Sequence, residues 1–291
     1  MKYEFIKKQR KHYGITKLAQ VLCVSRSGYY KWLKRRISSR IIAERKMLKK
    51  IEEIFEKNRG TYGYRRIVIS LRRQGIICNH KRVMRIMREQ GLIAVQRRKY
   101  KAMTTNSKGN NRISPNLLKE IQASYPGEIL ASDITYIPLK EGWLYLSVVM
   151  DIYTREILGY STSKHPDADL VCESLRKALQ KIEINKVRIF HSDQGKQYSS
   201  NKVRKILSLY GIAQSMSRRG NCYDNAFVES FFHTLKTEWL NKFKNTTKEK
   251  TELKIFDYIE TFYNKNRFHS ALNYYSPMEF REKFAGGYYV Y

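Results

Sequence analysis

Hydrophobic and polar positions follow two different periods along this chain, and the change falls near residue 128. Before it, apolar residues such as Leu18, Leu22 and Tyr29 recur at helical spacing. After it, short apolar runs and period-two alternation are typical of β-strands. The pattern therefore predicts an all-α region followed by an α/β domain.

The first part of the α region has the pattern of a helix-turn-helix. The spacing predicts helices over about 15–22 and 26–35, and Ser25 or Ser27 is suited to cap the second one. Families of this motif often place Gly in the turn, where this chain has Cys23. A plain helical hairpin in a basic arm is the alternative interpretation.

A long helix is predicted over about 41–57, and a basic and aromatic segment broken by glycines occupies 59–66. A second helix-turn-helix pattern follows, with the apolar residues Ile67, Leu71 and Ile76 on one side and Val83, Ile86 and Met87 on the other. Its closing helix is predicted over 80–90, with Asn79 as its N-cap. Two successive motifs of this kind favour a nucleic-acid-binding region.

The α/β part predicts five strands and three helices. The strands are predicted at 129–137, 143–151, 156–163, 187–191 and 212–216, and the helices at 167–183, 199–210 and from about 224. Three antiparallel strands followed by alternating helix and strand are typical of a mixed sheet with helices on its faces. A further helix over 248–266 either supports the active site or DNA, or only packs on the core.

Charge changes the interpretation of the α region. The formal net charge is +31, and residues 1–110 hold 31 Lys and Arg against 6 Asp and Glu, a net charge of +25. Such an excess concerns binding partners rather than fold, and it favours nucleic acid. Double-stranded DNA is therefore the expected partner.

Cysteine and histidine usage argues against a zinc site. The four cysteines stand far apart, and the six histidines form no paired motif. Free thiols in a reducing compartment are expected. The N-terminus lacks an apolar signal region and no apolar run approaches 18 residues, so we expect no membrane partner and a cytoplasmic protein that associates with the nucleoid when it binds DNA.

Composition and periodicity together predict five segments. These are a helix-turn-helix DNA-binding region at 1–58, a second helix-turn-helix at 59–95, a basic linker at 96–127, a catalytic core at 128–245, and a C-terminal helix and tail at 246–291.

Three carboxylates stand out in the predicted core. Asp133 lies inside an apolar strand, and Asp193 follows the fourth strand. Glu229 lies in the first turns of the last core helix, with 35 residues between it and Asp193. An ionised Asp within a core strand needs compensation because burying an isolated carboxylate is very costly. Divalent cations supply it, and Mg²⁺ prefers oxygen ligands. The other acids have structural explanations: a hairpin turn for Asp151, and helix starts for Asp167, Asp169 and Asp224.

The sequence motifs around these acids resemble those of a known family. The chain resembles retroviral integrases in its Asp-Asp-35-Glu pattern, and more specifically the second-frame transposases of two-frame bacterial insertion sequences. The matching words are Tyr62-Gly63-Tyr64-Arg65-Arg66, His191-Ser192-Asp193-Gln194-Gly195-x-Gln197-Tyr198, Ser217-x-x-Gly220-x-Cys222-x-Asp224-Asn225-Ala226-x-x-Glu229-x-Phe231-Phe232-x-x-Leu235-Lys236-x-Glu238, Tyr263-Asn264-x-x-Arg267-x-His269-x-x-Leu272 and Ser276-Pro277. They extend over nearly the whole chain.

This resemblance implies an RNase H-like core and Mg²⁺-dependent DNA strand cleavage and strand transfer. It implies that Asp133, Asp193 and Glu229 are the catalytic metal ligands, with two Mg²⁺ ions and Mn²⁺ as a substitute. Water would first free a 3′-OH at the element end, and that hydroxyl would then attack another phosphodiester. The resemblance also implies action on element ends and target DNA, a homo-oligomer on DNA, and a first-frame partner or frameshift fusion.

The expected DNA contacts are basic residues of the helix-turn-helix patterns and of the catalytic region. They are Arg26, Lys31, Lys34, Arg35, Arg65, Arg66, Lys81, Arg82, Arg85, Lys236 and Arg267. Lys236 matches the family position that contacts the terminal DNA of the element. Two other functions stay open on the sequence: a catalytically silent DNA-binding regulator or element remnant, and a ribonuclease acting on RNA–DNA hybrids, against which the two helix-turn-helix patterns argue.

Overall fold

The computed structural model describes residues 1–34, 38–95, 113–118, 121–217, 225–243 and 246–284. The chain divides into two compact units, Met1–Glu53 and Ile54–Tyr291. The five-segment division expected from the sequence stays a prediction. No helix in the described ranges has both the length and the apolar character needed to cross a bilayer.

The first unit is helical. It contains α1 (Lys2–Gln9), α2 (Ile15–Val21), α3 (Arg26–Leu33) and most of α4 (Ser39–Lys57). Ile6, Leu18 and Tyr29 form its buried cluster.

The predicted helix-turn-helix is present as α2 and α3. Ser25 caps α3, since its hydroxyl accepts a hydrogen bond from the Gly28 N–H at 3.0 Å. Cys23 takes φ +51° in the turn, the left-handed conformation that Gly usually supplies. The sequence did not predict α1, whose inward positions, Tyr3 and Ile6, are too few to give a periodic signal.

The second unit begins with another helix pair, α5 (Tyr64–Arg73) and α6 (His80–Glu89). As predicted, Asn79 caps α6, its side chain accepting from the Lys81 N–H at 2.8 Å. The buried side chains on the two facing sides are Ile67, Val68, Leu71, Val83, Ile86 and Met87.

A five-stranded mixed sheet forms the centre of the second unit, as the sequence predicted. Its strands are β1 (Ile129–Pro138), β2 (Trp143–Asp151), β3 (Ile157–Ser163), β4 (Ile189–Ser192) and β5 (Ala213–Met216). The order is β3-β2-β1-β4-β5: β1, β2 and β3 pair antiparallel, whereas β4 runs parallel to β1 and β5 parallel to β4.

Helices cover the sheet and bury its apolar side chains. α7 (Ala168–Gln180) and α8 (Asn201–Leu209) contribute to one core with Leu130, Val149 and Phe190 of the strands. Gly159 of β3 lies so close to α7 that a Cβ atom there would come 2.2 Å from the Ser174 carbonyl oxygen.

Three of the acids with structural explanations lie in the described residues: Asp151, Asp167 and Asp169. Asp167 caps α7 by accepting from the Leu170 N–H at 2.9 Å, and Asp151 accepts from the Tyr153 N–H at 3.0 Å in its hairpin turn. Asp169 pairs with Lys202 at 2.7 Å on the surface. Asp224 and most of the predicted linker lie outside the described residues.

The C-terminal part packs on this sheet domain. After α9 (Ala226–Glu238), the predicted helix over 248–266 is continuous but changes type, with α10 (Lys248–Phe256), a π-helical segment (Asp257–Tyr263) and α11 (Asn264–Asn266). An unpredicted helix, α12 (Pro277–Phe284), closes the described chain.

Candidate active site

Asp133 of β1 and Asp193, which directly follows β4, lie at matching distances beyond the paired part of two neighbouring parallel strands. The last β1–β4 pair joins Ala131 to His191, and each aspartate follows that pair by two residues. Adjacent strands are about 4.8 Å apart, so this register brings the two carboxylates to one edge of the sheet. Ligand sites of open α/β sheets gather at such strand ends.

The loop after β4 shapes the Asp193 carboxylate. Its Oδ1 accepts a hydrogen bond from the Gly195 N–H at 2.9 Å. A Cβ at Gly195 would lie 2.9 Å from that same oxygen, so the loop has no room for a side chain there. The Gln194 amide donates to the Ser217 carbonyl oxygen at 2.9 Å, which ties the loop to the end of β5.

A buried hydroxyl pair supports the strand that carries Asp133. The Tyr198 hydroxyl and the Ser132 Oγ lie 3.0 Å apart, and both side chains are fully buried. The sequence motif around Asp193 therefore has a structural explanation at Gln194, Gly195 and Tyr198, which its resemblance to a family did not provide.

Glu229 reaches the site from α9. Val228 and Leu235 of this helix are buried, whereas Glu229 is on an exposed face, as the helical pattern predicted. Residues 218–224, which precede α9, lie outside the described part of the chain.

The three carboxylates interact electrostatically. Burial raises the pKa of Asp133 well above its usual range, and the carboxylates of Asp193 and Glu229 raise it further. Burial also raises the pKa of Asp193, against the Gly195 N–H that favours its ionised form. The pKa of Glu229 is raised by burial and by Asp193. The structure thus brings the predicted triad into one electrostatic cluster.

Lys236 is the cation that faces this cluster. It lies on α9 two turns after Glu229, and its ammonium opposes the rise in the pKa of Asp133. Burial lowers the pKa of Lys236 itself, and Asp133 acts in the opposite direction. Its Nζ lies 4.8 Å from the centroid of the Tyr136 ring.

The donor set fits a divalent cation that the protein ligates only in part. Within the described residues, no three His, Cys, Asp or Glu side chains converge closely enough to enclose a metal ion by themselves. The triad nevertheless supplies hard oxygen donors whose mutual repulsion a cation would relieve. Mg²⁺ is usually held by one or two carboxylates together with water and substrate phosphates, which is what this open arrangement suits.

A buried ion pair holds the far end of α9. Arg267 donates to Glu238 from Nε at 2.8 Å and from a terminal nitrogen at 2.6 Å, and the Tyr258 hydroxyl donates to the same carboxylate at 2.8 Å. Although burial would raise the pKa of Glu238, Arg267 lowers it below its usual value. The catalytic helix is thereby joined to the C-terminal segment.

Sequence comparison places these features in a known group. The integrase core domain family matches residues 123–222, a second integrase core domain family matches 210–277, and an HTH-like domain family matches 42–100. The chain is 38% identical over 288 residues to the transposase InsF for insertion sequence IS3A of Escherichia coli, covering 97% of this chain and 99% of the relative. The chain belongs to this family of insertion-sequence transposases.

The chain is also similar to a second transposase and to a solved integrase domain. The transposase for insertion sequence element IS904 of Lactococcus lactis is 40% identical, with 85% of this chain and 98% of that protein covered. The solved integrase catalytic core domain of HTLV-2, in complex with magnesium, is 17% identical with a TM-score of 0.42, covering 55% of this chain and 99% of that one. The family assignment rests on the sequence relatives. The match to the integrase core domain family and the five-stranded mixed sheet confirm the RNase H-like integrase fold expected for the core of this transposase.

The predicted DNA contacts of the transposase fall into different environments. Arg26, Lys31, Lys34, Arg65 and Lys81 are exposed, and Arg82 is half-buried. Arg85 is exposed and pairs with Glu89 at 2.9 Å, and Arg35 lies outside the described residues.

Arg267 lies in a different environment. Its side chain is only 3% exposed and pairs with Glu238 at 2.6 Å, so its predicted DNA contact stays a prediction for a buried side chain. Arg66 is half-buried, and its guanidinium lies 5.4 Å from the centroid of the Tyr62 ring. The motif Lys236-x-Glu238 contained the partner of Arg267, but helical periodicity cannot pair residues that are far apart in sequence.

Proposed function

We propose that this transposase cleaves DNA at the ends of its insertion sequence and transfers the freed strand to target DNA. Asp133, Asp193 and Glu229 act as the catalytic metal ligands in this proposal. The observation that carries it is the strand register that aligns Asp133 with Asp193, with Glu229 in electrostatic contact, in a chain 38% identical to an insertion-sequence transposase.

The chemistry is phosphoryl transfer in two steps. In cleavage, water attacks the phosphorus of a phosphodiester, a new P–O bond forms, and the bond to the 3′ oxygen breaks to leave a 3′-OH. In strand transfer, that hydroxyl attacks a phosphodiester of the target, and a 3′-OH of the target leaves. Asp133, Asp193 and Glu229 would hold two Mg²⁺ ions, or Mn²⁺ in their place, and the bound metal would supply positive charge for phosphoryl transfer.

The chain's own residues orient the DNA and the ligands. Gly195 directs the Asp193 carboxylate through its N–H, and Lys236 offers a cation to the phosphates beside Asp133. Because the three carboxylates are negative, a DNA phosphate can approach only when cations neutralise them. Lys236 supports that neutralisation without ligating the metal.

The helix-turn-helix motifs are proposed to deliver double-stranded DNA. Exposed Arg26, Lys31 and Lys34 lie on or next to α3, and Lys81 and Arg85 on α6, where major-groove helices carry their contacts. A homo-oligomer on DNA, with a first-frame protein or fusion as a further partner, completes the proposal.

The decisive experiment compares cleavage by the wild type, Asp193→Asn and Glu229→Gln. A labelled duplex that carries the element end is incubated with Mg²⁺ and each protein, with the first-frame protein supplied in parallel. We expect cleavage by the wild type and a loss of more than about 100-fold in both variants, because each removes a ligand charge. Asp169→Asn, which changes an exposed carboxylate, is the matched control.

Two outcomes would overturn the proposal in different ways. Undiminished cleavage by the two variants would reject the triad. Tight, end-specific binding without cleavage under both conditions would instead support the DNA-binding regulator. Thermal unfolding of each variant checks that the loss of cleavage is not a loss of fold.

A further inference from the structure

Two aromatic side chains are exposed together at the end of the β1–β2 hairpin. Tyr136 is 46% exposed and Trp143 is 51% exposed, and their ring centroids lie 5.2 Å apart at an interplanar angle of 85°. The next residues along each strand, Ile137 and Leu144, are buried. The hairpin therefore buries the aliphatic side chains of Ile137 and Leu144 and leaves the rings of Tyr136 and Trp143 about half exposed.

A basic cavity of about 270 Å³ lies beside these rings. Lys236 and Lys254 line it, and Asn241 adds an amide. Lys254 also places its Nζ 3.1 Å from the centroid of the Phe243 ring. None of the described residues that line this cavity is acidic, whereas the larger cavity of about 530 Å³ elsewhere in the unit has a mixed lining. Its charged residues are Asp151, Glu156, Lys181, Glu183, Lys186 and Arg281.

The aromatic pair lies close to the triad. Tyr136 follows Asp133 by three residues on β1, about 10 Å along the strand, and this odd spacing directs the two side chains to opposite faces of the sheet. Lys236 connects the two places, since its ammonium lowers the pKa of Asp133 and its Nζ lies 4.8 Å from the centroid of the Tyr136 ring. A nucleotide next to a phosphate at the triad is therefore within reach of the exposed rings.

We propose that Tyr136 and Trp143 form a stacking platform for an unpaired nucleobase of the DNA end that enters the active site. Lys236 and Lys254 hold the adjoining phosphates. Exposed aromatic rings bind bases by stacking, and lysines in the same groove bind the backbone. A paired base has both faces covered by its neighbours, so the platform selects frayed or single-stranded ends.

The charge of the cavity favours DNA over a protein partner. Its lysines and the absence of acids among its described lining residues match a polyanion, and the rings match the face of a base. The position of the DNA end in this inference rests on the proposed cleavage function, whereas the stacking itself can be measured without cleavage.

The test uses fluorescence of 2-aminopurine, which falls when the base stacks on an aromatic ring. The full chain carrying Glu229→Gln, which prevents cleavage, is titrated with two element-end duplexes. One has 2-aminopurine in a short unpaired extension, and the other has it fully paired. We expect quenching and about tenfold tighter binding for the unpaired extension.

Variants then assign the effect to the platform. Tyr136→Ala and Trp143→Ala should each lose the quenching and the preference for the unpaired extension, whereas Trp143→Phe should retain most of both. Tyr210→Ala, at an exposed aromatic residue 40% exposed at the end of α8, is the matched control and should behave as the parent. Circular dichroism and thermal unfolding verify that each variant is folded.

The outcomes separate this inference from the proposed function. Unchanged quenching and preference in both alanine variants would overturn the platform, and so would the absence of any preference in the parent. If the wild type cleaves DNA but the Glu229→Gln parent shows no quenching, the platform alone is rejected. If the parent shows quenching that depends on Trp143 but the wild type does not cleave DNA, the proposed function is rejected and the platform is supported.

Discussion

The position of the Asp193 carboxylate depends on Gly195, a neighbour that has no side chain. The Gly195 N–H donates to its Oδ1 at 2.9 Å, and a Cβ at Gly195 would approach the same oxygen to 2.9 Å and the Gln197 amide nitrogen to 2.5 Å. Both contacts are closer than carbon atoms normally allow. The position of this oxygen, which is proposed to bind the metal, therefore depends on the absence of a side chain at Gly195.

Gly195→Ala should reduce DNA cleavage with little loss of stability. The added methyl group displaces the Asp193 carboxylate from its place beside Asp133, and catalytic groups tolerate displacements of only about 0.5 Å. We expect cleavage to fall by roughly tenfold or more, measured on the element-end duplex. Gly63→Ala is the control, because a Cβ at Gly63 meets no atom within 4 Å; an equal loss in both variants would contradict this explanation.

Glu156 makes the stability of the second unit depend on pH. It is buried and pairs with Arg281 at 2.9 Å, and burial raises its pKa from the ordinary value of 4.5 to about 7 even though Arg281 lowers it. As the pH rises from 4.5, the unfolded chain loses this proton before the folded protein does. Glu156 therefore destabilises the fold increasingly between pH 4.5 and 7.

Glu156→Gln should remove this dependence. The free energy of unfolding of the wild type should fall relative to that of the variant by on the order of 1–3 kcal/mol from pH 4.5 to 7. Urea denaturation at several pH values measures the difference. Glu183→Gln is the control, because Glu183 is exposed and lines the same cavity of about 530 Å³ as Glu156. If the difference in unfolding free energy between wild type and Glu156→Gln does not change with pH, the assignment to Glu156 is wrong.

At the scale of elements, α9 is the component that joins the site to the rest of the second unit. It carries Glu229 and Lys236 on one side and ends at Glu238, which Arg267 and Tyr258 hold in the interior. The π-helical segment that contains Tyr258 also places Tyr263 against Phe231 of α9, with ring centroids 4.7 Å apart. Of the two roles left open for the C-terminal helix, packing on the core is the one its described contacts favour.

A segment that precedes the sheet reinforces the same helix end. Arg59 donates to Asp257 at 2.9 and 3.0 Å, and its guanidinium lies 4.3 Å from the centroid of the Trp239 ring. The Tyr62 hydroxyl accepts from the Phe268 N–H at 2.9 Å. The basic and aromatic segment before α5 thus packs on the sheet domain and its C-terminal part.

Breaking one partner of the Arg267–Glu238 pair should cost more than removing both. Glu238→Leu leaves a buried guanidinium without its carboxylate, and we expect the free energy of unfolding to fall by about 3–5 kcal/mol. The double variant Glu238→Leu with Arg267→Met should regain at least half of that loss, because no charge is left buried. Chemical denaturation measures both.

The exposed pair of Glu173 and Lys177 provides the comparison for this cycle. Glu173→Gln should change the free energy of unfolding by less than about 1 kcal/mol, since surface pairs contribute little. A double variant as unstable as Glu238→Leu alone would argue that the pair acts through geometry rather than through charge.

For the molecule as a whole, positive charge is distributed unevenly along the chain. Residues 1–110 carry a net charge of +25 out of +31, whereas the triad lies in the remaining, nearly balanced part. Each of the two compact units contains helices with exposed basic side chains, α3 in the first and α6 in the second. Electrostatic attraction of DNA is therefore concentrated outside the sheet.

DNA affinity should depend steeply on salt. If six or more phosphates are neutralised, affinity falls by about 10³-fold between 50 and 200 mM salt. Lys31→Gln combined with Lys34→Gln should make the slope of log affinity against log salt shallower by about 2, measured by fluorescence anisotropy. Lys202→Gln, whose lysine already pairs with Asp169 at 2.7 Å, is the control; equal slopes for all three proteins would exclude the α3 lysines from the interface.

Most elements could be predicted because their signals are local. Ser25 and Asn79 cap helices where their sequence neighbours place them, and the alternation of β1 to β3 follows from burial on the faces of a sheet. Glu229 was placed on an exposed face of α9 by helical periodicity alone. The helices α1 and α12 were missed because short segments contain too few inward positions to show a period.

The amino-acid sequence by itself determined the α-then-α/β order, the excess of positive charge and the spacing of Asp133, Asp193 and Glu229, because each depends on residue type and on distance along the chain. Only the tertiary structure decided which side chains meet. The parallel register of β1 with β4 aligned the two aspartates, and packing of the C-terminal segment brought Arg267 to Glu238 of α9. Pairing across the fold depends on how strands and helices pack, and no local period encodes it.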